Sequence, residues 1–323
     1  MSKAIRLHEH GGADKLRWED QAVPAPGPGE VLLRHTAIGL NYFDIYVRTG
    51  LYPSTLPTGL GSEGAGVIEA LGKKVRDFRV GDRVAYSGAR NGSYAEQRVI
   101  EADELVKLPR DISDEQAAAV ILKGLTAWAL LRRTYRVKRG DVVLVTAAAG
   151  GVGLILCQWA RALGATVIGV VGSEAKVAPA KRNGCRLVFV GYHQVAAKVR
   201  EYTKGKGVDV VYDGVGKDTF MAGLDSLKPC HVMVSFGNAS GAVPPIAPLE
   251  LMRRGSLFLT RPTVAHYINT AQLRRQAARE LFAMIRRGRI RVTVGQRFAL
   301  RDAAAAHAAL ESRATTGSTI LLP

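Results

Sequence analysis

Between positions 31 and 109 apolar and polar residues alternate in short runs, VLLRHTAIGL, GAGVIEALG, GDRVAYSG, GSYAEQRVI and LVKLP, each bounded by turn residues. Period-two alternation turns one strand face to a core and the other to water, and tight turns join neighbouring strands in antiparallel order. This third of the chain is therefore expected to form an antiparallel β domain. The stretch PAPGPGE, 24–30, is a stiff connector within it.

A helical period follows from Ser113 through AAAVILKGLTAWALLRRTY. Ser113 is its expected N-cap, with Asp114 and Glu115 suited to the positive end of the helix. From about Lys138 the pattern changes again: DVVLVTA is continuously apolar and β-branched, GLILCQWARALG has helical spacing, and ATVIGVV is a second buried-strand run. Strands covered on both faces read this way, so the segment is a βαβ unit with parallel strands. VDVVYDGVG and HVMVSFGN continue the alternation, with helical segments at 195–202 and 219–227. QLRRQAARELFAMIRRGRI is an amphipathic helix leading to an expected strand in RVTVGQRFAL. The fold class is α/β, a β-rich domain joined to a doubly wound parallel sheet.

Composition narrows the classes. A chain of 323 residues, 47% hydrophobic, can fill two domain cores. The N-terminal MSKAIRLHEHGG lacks the apolar core of a secretory signal, and the most apolar run, around 142–149, is too short to span a bilayer; the expected location is the cytoplasm. Three cysteines, Cys157, Cys185 and Cys230, with no CxxC or HExxH pair, do not spell a disulfide framework or a structural zinc. The net charge of +17 attracts polyanions without selecting among them. Its basic residues are spread out, with only short clusters such as Arg132-Arg133, Arg253-Arg254 and Arg286-Arg287, which reads as a solvated basic surface rather than a dedicated nucleic-acid site.

The candidate chemistry begins at AAAGGVG. The spacing Ala148-x-Gly150-x-x-Gly153 follows a strand-like run and opens a helix, the context in which backbone amides approach a dinucleotide pyrophosphate. Alanine stands where the first glycine is usual. After the second strand come Gly172, Ser173, Glu174, Ala175 and Lys176. Turned inward, Glu174 would bind an unphosphorylated ribose; set in the first turn of the next helix, it would leave Ser173 and Lys176 to meet a 2′-phosphate. The local spacing favours the second arrangement, hence NADPH.

These segments, together with GLNYFDIYVRTGLYP, LPTGLGSEGAGVI, ILKGLTAW, MVSFGNASGAV and ESRATTGS, resemble the zinc-free, zeta-crystallin-like NADPH:quinone oxidoreductases of the medium-chain dehydrogenase/reductase superfamily, over essentially the whole chain. The resemblance implies a GroES-like domain from residues 1–122 and 269–323, a Rossmann domain from 123–268, and a homodimer formed through the Rossmann domains. It implies that Asn41, Tyr46, Lys123, Thr126 and the loop Gly150, Gly151, Val152 and Gly153 line the nicotinamide and pyrophosphate. Ser173, Lys176 and Tyr192 would surround the 2′-phosphate, and Phe236, Gly237 and Asn238 would lie along the cofactor. Arg313 is either a further cofactor contact or a pin for the tail.

The superfamily's zinc alcohol dehydrogenases place cysteine and histidine ligands where this chain has Asn41 and Ser62; Glu63 alone remains, so no metal is expected. Without a Lewis acid to stabilise an alkoxide, alcohol oxidation is disfavoured, whereas a quinone or enone disperses the hydride's charge into a conjugated oxygen. Tyr46 and Tyr52, with Asn41, are the candidates for the substrate pocket, as donors or stacking platforms; packing with a satisfied hydroxyl is the alternative for both tyrosines. The histidines form no triad or metal spacing and are expected to be surface or singly bonded. Cys157 is expected in the core, and Asp213 as structural or cofactor-adjacent. The expected activity is NADPH-dependent quinone reduction, with enone or alkenal reduction on the same scaffold as the near alternative and non-specific nucleic-acid binding as the remote one.

Overall fold

The computed structural model describes residues 2–88, 91–313 and 315–323. The chain divides into two compact units: Met1–Leu125 with Ile268–Ala283 and Val292–Pro323, and Thr126–Tyr267 with Met284–Arg291.

In the first unit a seven-stranded sheet is organised by the long strand Glu30–Leu40. Its first half pairs with Gln97–Glu101, its last residues pair with Ser318–Leu322, and its other edge pairs with Glu63–Leu71, all antiparallel. Val294–Ala299 and Ser318–Leu322 run parallel, the exception to the antiparallel pattern expected for this domain; the helix Ala303–Glu311 between them provides the crossover that parallel strands require. A second, three-stranded sheet joins Ser2–Leu7 to Leu16–Gln21 and Thr58–Gly59. Its strands are hard to see in sequence because SKAIRL and LRWEDQ carry charges among their apolar residues. Val31, Leu33, Ile68, Val84 and Tyr86 pack one core, and Ile5, Leu7, Ile38, Leu60 and Leu321 another.

The second unit is a six-stranded parallel sheet. Numbered in chain order as Val142–Val145, Thr166–Val171, Leu187–Val190, Val208–Asp213, Leu227–Ser235 and Phe258–Thr260, its strands lie 3-2-1-4-5-6, the doubly wound arrangement of dinucleotide-binding domains. The edge strands Leu187–Val190 and Phe258–Thr260 are short. Leu144, Ile168, Val170, Val211 and Met233 are fully buried in its core.

The helix expected from Ser113 spans Asp114–Ala129 and widens into a π-helical turn at Leu130–Thr134. Ser113 caps it as expected: its hydroxyl accepts from the Gln116 amide at 3.2 Å, and the Gln116 side chain accepts from the Ser113 amide at 3.0 Å. Near the other end of the chain, Gln158 grips Arg291 by both backbone groups, donating to its carbonyl at 3.2 Å and accepting from its amide at 2.8 Å. Those bonds hold the segment Met284–Arg291 to the second unit.

Candidate functional site

In the first unit the site is built on the short helix Tyr42–Arg48. Asp44 accepts a hydrogen bond from the Asn41 amide at 2.9 Å, which closes the helix start and leaves the Asn41 side chain to donate to Glu63 Oε1 at 2.8 Å. The same oxygen accepts from Lys123 Nζ at 2.6 Å, and Glu63 Oε2 accepts from the Leu122 amide at 2.7 Å. Glu63 is fully buried and Lys123 4% exposed, so this ion pair is shielded from solvent and its carboxylate has a donor on both oxygens. Gly39 makes the arrangement possible: a Cβ there would lie 2.1 Å from Glu63 Oε1.

A second buried chain of polar groups starts at Asp44, which also accepts from Ser62 at 3.2 Å and from the Tyr94 hydroxyl at 3.1 Å. Tyr94 in turn meets His307 Nε2 at 3.1 Å, and Arg48 donates to His307 Nδ1 at 3.2 Å. Arginine only donates, so His307 Nδ1 accepts, Nε2 carries the proton, and that proton goes to the Tyr94 oxygen. Arg48 is itself 1% exposed and bound by two contacts to Glu311, at 2.6 and 3.0 Å. Burial, assisted by the neighbouring Arg48 charge, holds His307 down to about 3, and burial lifts the Asp44 carboxyl to about 7. His35 is similar: its Nδ1 donates to the Ala95 carbonyl at 2.7 Å, its Nε2 accepts from Tyr86 at 2.7 Å, and burial with nearby Arg98 holds it down to about 3. These two histidines are doubly bonded and buried, not surface or singly bonded as expected. Each is satisfied by residues at least 50 positions away, which no local spacing could show.

Beside this network lies an aromatic cluster. Tyr46 and Tyr52 meet edge-on with centroids 5.2 Å apart, Tyr52 meets Phe43 at 5.6 Å, and Tyr46 meets Tyr42 at 6.1 Å. Tyr46 is buried, Tyr52 half-buried and Phe43 exposed. Arg313 is exposed in the same unit, at a left-handed backbone position (φ 58°) just after the helix Ala303–Glu311.

In the second unit the candidate residues gather at the carboxyl ends of the parallel strands. The helix Gly151–Ala162 opens after Gly150 with no side chain capping it, so its first-turn amides keep their capacity to bind an anion. A Cβ on Gly153 would come within 2.2 Å of the Ala147 carbonyl, whereas one on Gly150 would meet the same atom at 3.2 Å. The alanine at position 148 is accommodated from across the sheet: a Cβ on Gly169 would lie 2.9 Å from the Ala148 Cβ, so the missing glycine of the loop is matched by one in the next strand. Glu174 is exposed in the first turn of the 3-10 helix Glu174–Lys176, the second of the two arrangements considered for it. Ser173 is exposed immediately before that turn, Lys176 closes it, and the Tyr192 hydroxyl lies 3.9 Å from where a Cβ on Gly172 would be. Thr126 lies in this unit, half-buried.

Asp213 ends the fourth strand fully buried. Its Oδ1 accepts from Thr146 at 2.7 Å, from Thr219 at 2.6 Å and from the Val215 amide at 3.0 Å, while Oδ2 has no hydrogen-bond partner among the described residues. Its side chain ties two loops together, the one after the first strand and the one after the fourth, in keeping with the structural or cofactor-adjacent role expected for it. Phe236 and Gly237 continue this floor: a Cβ on Gly237 would lie 2.2 Å from the Gly214 carbonyl, and Arg261 donates to the Gly237 carbonyl at 3.3 Å next to Asn238. Glycine-loop amides, small residues at the strand ends and a hydroxyl and lysine after the second strand fit a phosphorylated dinucleotide. Cys157 is buried as expected, 3.5 Å from Cys185.

Among the described residues no group of three or more His, Cys, Asp or Glu is placed to hold a metal ion, and no helix is long and apolar enough to cross a membrane. Residues 27–110 match the model of the alcohol dehydrogenase GroES-like domain, and 151–286 that of the zinc-binding dehydrogenases. A quinone oxidoreductase of Pseudomonas aeruginosa is 50% identical over the full length of both chains. A 2-haloacrylate reductase of a Burkholderia species is 44% identical, with all of this chain and 99% of the relative covered. The crystal structure of Escherichia coli quinone oxidoreductase complexed with NADPH superposes with a TM-score of 0.97 at 45% identity, covering 99% of this chain and 100% of that one. With a GroES-like domain, a dinucleotide fold and full-length identity of this order, the chain belongs to the quinone oxidoreductase family of the medium-chain dehydrogenase/reductase superfamily.

Proposed function

We propose that this protein reduces quinones with NADPH, without a catalytic metal. The observation that carries this reading is the closure of Glu63. The one carboxylate at the position of the dehydrogenases' metal ligands is neutralised by the Lys123 ammonium and held by Asn41 and the Leu122 amide. With that carboxylate committed to Lys123, Asn41 and the Leu122 amide, the site suits an acceptor that delocalises the hydride's charge by itself rather than one that needs a metal.

Bound NADPH supplies the hydride; a quinone taking up that hydride and one proton becomes the hydroquinone. Gly150, Gly151, Val152 and Gly153 hold the pyrophosphate by backbone amides, and Ser173, Lys176 and Tyr192 receive the 2′-phosphate, with Glu174 turned to solvent. Thr126, Phe236, Gly237 and Asn238 lie along the cofactor. Asn41, Tyr46 and Lys123 border the nicotinamide, with Arg313 as an outer contact. Tyr52 donates to the acceptor oxygen, and the Tyr46–Tyr52–Phe43 cluster provides flat apolar surface for its ring. The 2-haloacrylate reductase relative supports a second reading, reduction of an activated alkene, in which the hydride's charge is likewise dispersed into a conjugated oxygen.

The protein acts as a homodimer. Supporting this, the edge strand Phe258–Thr260 pairs on one side only among the described residues, and Phe258, Leu259, Leu249 and Met252 are exposed on the same unit. Its location is the cytoplasm: the buried Cys157 and Cys185 thiols, 3.5 Å apart, suit a reducing compartment. Binding of nucleic acid is confined to non-specific attraction by the net charge of +17. The cofactor assignment is tested by titrating NADPH and NADH against intrinsic fluorescence and repeating both with a naphthoquinone in turnover. NADPH should bind at least tenfold tighter, since each charge-assisted phosphate contact contributes about 1.5–3 kcal/mol. Equal dissociation constants would overturn it and return Glu174 to the ribose.

A further inference from the structure

A concavity of about 580 Å³ opens on the second unit where the helices Gly151–Ala162 and Val177–Arg182 end and the segment Met284–Arg291 turns. Five arginines line it, Arg161, Arg182, Arg287, Arg289 and Arg291, and no lining residue is acidic. All five are exposed, and none of their guanidinium groups has an ion-pair or hydrogen-bond partner among the described residues. The main chain beneath them is held: Gln158, 8% exposed, grips both backbone groups of Arg291, and Asn183 donates to the Pro179 carbonyl at 2.8 Å.

Arginine in the last turn of a helix balances the negative end of its dipole, and Arg161 and Arg182 occupy such positions. Two helix ends amount to about one negative charge, against five full positive ones. Dipole balance therefore leaves most of the charge unexplained. Nor is this the dinucleotide site: the glycine loop lies at the other end of the 12-residue helix Gly151–Ala162, about 18 Å away at 1.5 Å per residue. The concavity has the size of a small-molecule pocket, and guanidinium forks match phosphate oxygens in pairs.

We propose that this concavity binds a compact oligophosphate of about three linked phosphates, inorganic or carried by a nucleotide. The proposal does not rest on quinone reduction. Its test is isothermal titration of NADPH-saturated protein at low salt with inorganic tripolyphosphate and, separately, with ATP. One equivalent of tripolyphosphate per chain should bind, and the double variant Arg182→Gln/Arg289→Gln should weaken it at least tenfold while keeping its NADPH affinity, which reports that it is folded. Lys204→Gln/Lys206→Gln, which removes the same charge from exposed positions outside the pocket, should change it less than twofold. Equal binding of the two ligands identifies the inorganic chain as sufficient, and tenfold tighter ATP identifies a nucleotide; both support the site. No tripolyphosphate binding, equal losses in the two double variants, or binding of single-stranded RNA that tripolyphosphate cannot displace would overturn it.

Discussion

Asp44 and His307 sit two hydrogen bonds apart through Tyr94, and burial moves them in opposite directions, to about 7 and about 3. The Asp44 value lies above the ordinary 3.8, so the native state keeps a proton that the unfolded chain has lost; its contribution is complete below about pH 4 and disappears as pH rises to about 7. His35 and His307, held below the ordinary 6.5, lose stability in the other direction, as pH falls from about 6.5 toward 3. Asp44→Asn removes the first slope and leaves the second. Urea midpoints measured from pH 4 to 8 should show the variant gaining on the wild type as pH rises to about 7, by at most about 1.4 kcal/mol per pH unit; parallel curves would mean that Asp44 is ionised throughout. Of this network, Asn41, Ser62 and Glu63 were legible in sequence because they stand at known ligand positions. The pairing of Lys123 with Glu63 spans 60 residues, and that of His307 with Tyr94 spans 213, so neither leaves a local pattern.

Helix Gly151–Ala162 and the strand before it show why an element can be read well while its loop chemistry is read incompletely. Continuous β-branched runs and a helical period identified the βαβ unit, and its glycines indicated a close approach. The sequence did not reveal that Ala148 is matched by Gly169 on the neighbouring strand, because that contact depends on sheet register. The short edge strands LVFV and FLT also carry too few residues to establish a period. The two loop glycines should separate in experiment. Gly153→Ala puts a methyl 2.2 Å from the Ala147 carbonyl and must displace the helix start, so NADPH affinity should fall at least tenfold. Gly150→Ala, at 3.2 Å, should stay within threefold. Fluorescence titration with a thermal melt on each variant distinguishes a displaced loop from an unfolded unit, and equal effects at both positions would contradict the packing argument.

At the scale of the whole molecule, the apolar edge of the parallel sheet stands out on a chain carrying +17. Phe258 is 61% exposed on a strand that, among the described residues, pairs along one side, an arrangement that invites pairing with a second copy. Light scattering at micromolar concentration should give twice the chain mass of 34.7 kDa. Phe258→Lys should shift it toward the single-chain value, and a wild type already at that value would remove the dimer from the account. The two-domain composition was legible from the change of hydrophobic period near Lys138; the attachment of Met284–Arg291 to the second unit was not, because it depends on the side chain of Gln158.

At the core of the proposed function is hydride transfer to a quinone by a site whose carboxylate is closed by a lysine rather than a metal. It is tested most directly by following NADPH oxidation and NADP reduction with the purified protein in excess chelator, offering a naphthoquinone in one series and primary and secondary alcohols in the other. Quinone turnover should be unchanged by chelator, and the alcohols should not be oxidised. Alcohol oxidation exceeding quinone reduction, or quinone turnover abolished by chelator and restored by zinc, would contradict it.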